Sequence, residues 1–151
     1  MKSEPLCILL AEDNDDHAEI VTRSLSEHRV ANVVIRARDG EEALDYLFDS
    51  TSGRMSETHP RPNLVLLDLR LPKVDGLEVL RRIKNSPDHW DIPVVVLTTS
   101  AAERDLVESF KLHANSYLVK PVDYSKFDEM IQAMGFFWLV WNYQGDQNQV
   151  A

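Results

Sequence analysis

The stretch "NLVLLDLRLP" (residues 63–72) decides how the rest of the chain is read. Its apolar core, Leu64 to Leu67, shows no polar alternation and fits a strand buried on both faces, as in a parallel sheet flanked by helices. The run ends on Asp68, and Pro72 four residues later keeps a helix from starting at once. A buried strand thus delivers a carboxylate to its tip and then enters a loop. One such acid is no more than a cap. Whether it is a cap or part of a site depends on what the other strands end on.

Outward from this run lie three more of the same kind: "LCILLA" (6–11), "PVVVLT" (93–98) and "SYLVK" (116–120), with the weaker "NVVIRA" (32–37) between the first two. Segments with helical spacing separate them. Ala18, Val21 and Leu25 recur in 15–28, Ala43, Leu44 and Leu47 in 40–48, Leu77, Leu80 and Ile83 in 76–85, and Leu106, Phe110 and Ala114 in 101–114. A fifth helix is predicted to start at the N-cap Asp123 and run through the last hydrophobic residues. Five alternations of strand and helix call for an α/β fold with a parallel sheet. Right-handed crossovers make it a doubly wound, flavodoxin-like (βα)5 sandwich with strand order 2-1-3-4-5 and helices on both faces.

Composition narrows the function classes. The chain has 151 residues, 44% hydrophobic and 27% charged, with a net charge of −9. That length suits one domain, expected over 1–143, followed by a polar tail (144–151) expected to be disordered. The acidic balance argues against nucleic acid and against an anionic membrane surface. The N-terminus has too short an apolar stretch for a signal peptide, and "FFWLVW" (136–141) is far short of a membrane span. Cys7 is the single cysteine, which excludes a disulfide framework and a cysteine-based zinc site. A cytoplasmic protein is the expectation. The segment 49–63, rich in Ser, Thr, Gly and Pro, reads as an exposed loop, a spacer more readily than a partner-specific insertion.

In a parallel sheet all strands end at one edge, where ligands bind. The first run ends on Glu12 and Asp13, the third on Asp68, the fourth on Thr98 and the fifth on Lys120. Topology therefore gathers three carboxylates, a hydroxyl and an ammonium. Two carboxylates about 4 Å apart repel by roughly 4 kcal/mol at an effective dielectric near 20. Either some are protonated or a cation sits among them. Mg²⁺ fits best, because it takes few carboxylates and keeps water and phosphate oxygens. A carboxylate beside such a cation, with a hydroxyl and a lysine for further anionic oxygens, suits an acyl-phosphate. No phosphate-binding loop of the G-x-x-x-x-G-K-[ST] type is present, so the phosphoryl group must come from a phosphohistidine or a small donor.

With these residues in view, the chain resembles a two-component response-regulator receiver domain over roughly residues 5 to 135. Five motifs carry the likeness in order: "LLAEDN", "LLDLRLPKVDG", "VVVLTTS", "NSYLVK" and the following Lys120–Pro121. The resemblance implies that Asp68 is the phosphoacceptor and that Glu12, Asp13, Asp68 and the backbone carbonyl of Arg70 hold Mg²⁺. It implies that Thr98 and Lys120 bond the phosphoryl group, that Thr98 and Tyr117 form the switch, and that the Lys120–Pro121 bond is cis. It further implies a sensor histidine kinase as partner, no catalytic turnover beyond self-directed phosphotransfer and dephosphorylation, and a homodimer through the fourth helix, fifth strand and fifth helix. Each residue has a plainer reading: helix-opening acids for Glu12 and Asp13, an N-cap cluster for Thr98 to Ser100, packing for Tyr117, a surface charge for Lys120. Arg70 is bulkier and more basic than the family usually places there, which leaves the lifetime of a phosphorylated state open. It also counts against a phosphatase of the haloacid-dehalogenase type, which wants an acid at that position. A silent receiver-like binding module is the other alternative. The long loop and "GFFWLVWN" resemble the response regulators paired with bacterial and cyanobacterial phytochromes, implying a phytochrome kinase. In that last helix Phe136, Phe137, Leu139 and Val140 leave no polar side, so burial within the fold or an interface remains open, the interface being favoured.

Overall fold

The computed structural model describes residues 5–27, 32–98, 100–114 and 116–119, together with Ser125 and Glu129. Lys120 and its bond to Pro121, the helix expected from Asp123, the residues Phe136, Phe137, Leu139 and Val140, and the tail 144–151 lie outside the described residues.

The apolar runs form strands because successive side chains point to alternate faces of a sheet covered on both sides in its central strands. β1 (Leu6–Ala11), β2 (Asn32–Ala37), β3 (Leu64–Asp68), β4 (Val94–Thr98) and β5 (Ser116–Val119) make one parallel sheet in the order β2-β1-β3-β4-β5. β3 and β4 are buried along their whole length, as their unbroken apolar runs predict. Between strands run α1 (Asp15–Ser26), α2 (Gly40–Leu47), α3 (Gly76–Lys84) and α4 (Ala101–Ser109). The flavodoxin-like order read from the alternation is the order observed.

The two sheet faces carry separate cores. Leu9, Ala11, Val65, Leu67, Val94 and Val96 point to one side and pack with Ala43, Leu47, Val79, Leu80 and Ile83 of α2 and α3. Leu6, Ile8, Leu10, Leu64, Leu66 and Leu97 point to the other and pack with Ala18, Val21 and Leu25 of α1. Period-two alternation along each strand produces this division.

Every described helix opens with a polar cap at the same sheet edge. Asn14 accepts from the His17 amide at 3.0 Å, Asp39 from Glu42 at 2.8 Å, Asp75 from Glu78 at 2.9 Å and Ser100 from Glu103 at 3.4 Å. Asn14 caps α1, with Asp15 and Asp16 filling its first turn. Glu12 and Asp13 precede that cap, so helix opening does not explain them.

One expectation needs correction. α4 stops at Ser109, and Lys111 takes φ 57°, which ends the turn well short of residue 114. Leu106 and Phe110 are exposed (47% and 59%), while Val107 carries the core contact instead. The i, i+4 pattern of Leu106 and Phe110 marks an apolar stripe, but that stripe is not the one facing the sheet. The 49–63 segment is exposed over most of its length, as its composition predicts, and is tied down at several points. Arg54 pairs with Asp88 through both Nε (2.8 Å) and Nη2 (3.0 Å), Arg61 pairs with Asp91, and Met55 bridges Phe48. Beneath it His89 is buried, with its Nε2 at 2.8 Å from the Leu47 carbonyl and its Nδ1 at 2.7 Å from Ser86 Oγ. Burial pushes the His89 pKa below its ordinary value, so the neutral ring is the form this pairing holds.

No helix among the described residues is long and apolar enough to cross a membrane.

Candidate phosphoryl and cation site

Register brings the strand ends together. Ala11 pairs with Leu67, Asp68 with Leu97, and Thr98 with Val119. The residues just past these pairs therefore sit around one cleft. Glu12, Asp13 and Asp68 each place a carboxylate oxygen there, all within 4.8 Å of one another. Glu12 is fully buried, Asp68 is 3% exposed, and Asp13 faces solvent.

The main chain fixes these acids. Glu12 donates its amide to the Ala37 carbonyl at 3.0 Å, extending the β1–β2 ladder by one bond. Its carboxylate accepts from the Asn14 amide at 3.2 Å and lies 3.6 Å from His17 Nδ1. Asp68 Oδ1 accepts from the Arg70 amide at 2.9 Å. Gly76 then lets α3 approach, donating its amide to the Leu69 carbonyl at 2.9 Å.

The donor set fits a small hard dication. Oxygens bound to one Mg²⁺ at about 2.1 Å lie at most about 4.2 Å apart, close to the separation within which the three carboxylates already sit. All three donors are carboxylate oxygens, which suits Mg²⁺ or Mn²⁺ over softer metals.

Thr98 is 1% exposed, and its hydroxyl is committed locally. It donates to the Ser100 carbonyl at 2.7 Å and accepts from the Ser100 amide at 3.0 Å. Ser100 in turn caps α4, so the hydroxyl and the helix start are directly linked. Tyr117 is half-buried against the α2/α3-side core, with the Arg104 guanidinium 5.0 Å above its ring. Burial raises the Tyr117 pKa. Arg70 turns its side chain outward to Glu103 on α4, Nε to Oε1 at 3.0 Å.

The structure thus brings together Glu12, Asp13 and Asp68, with Thr98 at the end of the adjacent strand. Lys120 lies outside the described residues. Sequence reasoning missed Arg36, Glu103 and Arg104. Arg36 had a signal: it is the one charged residue inside a strand run that is otherwise apolar apart from its first residue. Its Nη1 bonds Asp15 at 2.7 Å, and this bond, with the Arg36 and Arg38 charges, holds the Asp15 carboxyl below the usual range.

Comparison with known proteins matches residues 8–132 to the response regulator receiver domain family. A relative described as the probable methanogenesis regulatory protein FilR2 of Methanothrix harundinacea is 44% identical over 92% of this chain and 87% of its own length. The response regulator Rcp1 of Synechocystis sp. is 44% identical over 89% of this chain and 90% of its own. A solved structure of Rcp1 in its Mn²⁺-bound form superposes with a TM-score of 0.74, covering 89% of this chain and 95% of that one. The phosphorylated cyanobacterial phytochrome response regulator RcpA gives 0.74 at 39% identity, covering 90% of this chain and 95% of that one.

Proposed function

This chain belongs to the response regulator receiver domain family, related to the phytochrome response regulators, and on that premise we propose that a sensor histidine kinase phosphorylates it on Asp68. An Asp68 carboxylate oxygen forms the new O–P bond as the N–P bond of the phosphohistidine breaks and the imidazole leaves with the bonding pair. Glu12, Asp13, Asp68 and the Arg70 carbonyl hold Mg²⁺, whose charge offsets that of the phosphoryl oxygens. Thr98 exchanges the Ser100 carbonyl for a phosphoryl oxygen, and Lys120 pairs with another. Because Ser100 caps α4, the exchange biases the position of α4 and of Tyr117, and with them the contacts the protein makes. The observation that carries this reading is the meeting of Glu12, Asp13 and Asp68 within 4.8 Å.

Incubation with acetyl phosphate and Mg²⁺ tests it by intact mass. Wild type is expected to gain one phosphoryl group and Asp68→Asn none. Sustained phosphate release from varied monoesters would instead mark a phosphatase, and the absence of any Asp68-dependent gain a binding-only module. The likeness to the cyanobacterial phytochrome response regulator RcpA supports a phytochrome as the kinase. Transfer from a purified phytochrome kinase at a rate no better than from an unrelated kinase would reject that partner.

A homodimer through α4, β5 and the following helix is part of the same proposal. Leu106 (47% exposed) on α4, Phe110 (59%) just past its end and Val119 (57%) on β5 support it as apolar groups open to solvent. Phe110→Glu is expected to convert a dimer to a monomer by light scattering; a wild-type monomer with or without phosphate would end this part.

A further inference from the structure

We propose that Arg36 is a positioning residue for the cation site, an inference that rests on the reading of Glu12, Asp13 and Asp68 given above. Arg36 is the residue of β2 paired with Leu10, and its half-buried side chain lies on the α1 side of the sheet. Its guanidinium spans the β1–α1 turn. Nε and Nη2 both donate to the Glu12 main-chain carbonyl, at 3.1 and 3.0 Å, and Nη1 reaches Asp15 at 2.7 Å. The Glu12 amide is already bound to the Ala37 carbonyl. Both peptide groups of Glu12 are therefore held by two consecutive residues of β2, one through its backbone and one through its side chain.

That clamp decides where two of the three carboxylates point. Glu12 follows the last residue of β1 and is still held to β2 by its amide, and Asp13 comes after it outside the paired strands. Rotation of the Glu12–Asp13 peptide would swing the exposed Asp13 carboxylate away from Asp68. A planar fork with two donors on one carbonyl resists that rotation, and a single ammonium donor does so less well. At the site Arg36 contacts the Glu12 main-chain carbonyl, so its effect is exerted through Glu12.

The sign of the effect separates positioning from simple electrostatics. Arg36 is a cation near a site for a dication, so loss of its charge alone should tighten metal binding. Loss of the clamp should weaken it. Groups that orient metal ligands from the outer shell typically contribute 10- to 100-fold in affinity. We expect Arg36→Gln to bind Mn²⁺ about tenfold more weakly than wild type, at the low end of that range because the lost charge opposes the effect.

Mn²⁺ titration of the full chain, followed by electron paramagnetic resonance of the free ion, measures this directly, with circular dichroism confirming the fold. Arg36→Lys, which keeps the charge and one donor, is expected to bind more weakly than wild type and serves if Arg36→Gln fails to fold. Unchanged or tighter binding in a folded Arg36 variant, with Asp13→Asn weakening binding about hundredfold, overturns the positioning role alone. Binding that neither Asp13→Asn nor Arg36→Gln alters overturns the cation-site reading and this inference with it.

Discussion

Replacing Gly76 by alanine is expected to destabilise the protein by about 3 kcal/mol and to dislodge Asp68. A Cβ at this position would lie 2.1 Å from the Asp68 carbonyl oxygen, 2.6 Å from Leu69 Cα and 2.9 Å from the Asp68 carbonyl carbon. All three are backbone atoms, so no side chain can step aside. Either α3 retreats, breaking the Gly76–Leu69 hydrogen bond, or the end of β3 shifts. Retreat uncovers Val79, Leu80 and Ile83, which are fully buried. A shift moves the residue proposed to accept phosphate. For a chain of this size a 3 kcal/mol loss lowers the thermal midpoint by roughly 6–12 °C. Gly53→Ala is the control: Gly53 has φ +71° with nothing within 4 Å of the added carbon, so only left-handed strain of about 1 kcal/mol is expected. Calorimetry on both variants checks the contrast, and equal losses would show that the backbone around Gly76 yields to the added carbon at little cost.

That close approach was not visible in the sequence, although the strand it limits was. β3 and β4 could be read directly because strands buried on both faces leave unbroken apolar runs, and the acids at their tips followed from parallel topology. Glu12, Asp13, Asp68 and Thr98 were legible for that reason. What escaped were ties between polar residues far apart in the chain. Arg70 to Glu103 spans 33 positions, Arg36 to the Glu12 carbonyl 24, and Arg54 to Asp88 34. Such pairs leave no periodic trace, since each side chain is compatible with a solvated surface until the fold supplies its partner. The exposed 49–63 loop was legible from its composition, but its anchoring to the loop between α3 and β4 through Arg54, Met55 and Arg61 was not. In α4 the difficulty was of another kind. Leu106 and Phe110 form a regular apolar stripe, and periodicity alone does not say whether the sheet or another surface lies opposite it.

The acids themselves should cost stability when no cation is present, and Asp13→Asn is expected to reveal this as a reversal. Three carboxylates within 4.8 Å repel one another. Each pair contributes roughly 3–4 kcal/mol at an effective dielectric near 20, but Asp13 faces water and solvent screening reduces the total that its removal relieves to about 1 kcal/mol. Without divalent ions, Asp13→Asn should therefore unfold at a higher urea concentration than wild type. Saturating Mg²⁺ adds a term that favours wild type. At a hundred times the dissociation constant, binding contributes about 2.7 kcal/mol to the folded state, and a variant with hundredfold weaker affinity gains only about 0.4 kcal/mol. The difference of about 2.3 kcal/mol exceeds the repulsion relieved, so the order of stability inverts and wild type becomes the more resistant by about 1 kcal/mol. Urea melts of both proteins in chelator and in Mg²⁺ measure all four values. A wild type that is the more stable in chelator would mean that neighbouring cationic groups such as Arg36 and Arg38 already neutralise the cluster; parallel shifts of both proteins with Mg²⁺ would mean that Asp13 is not a ligand.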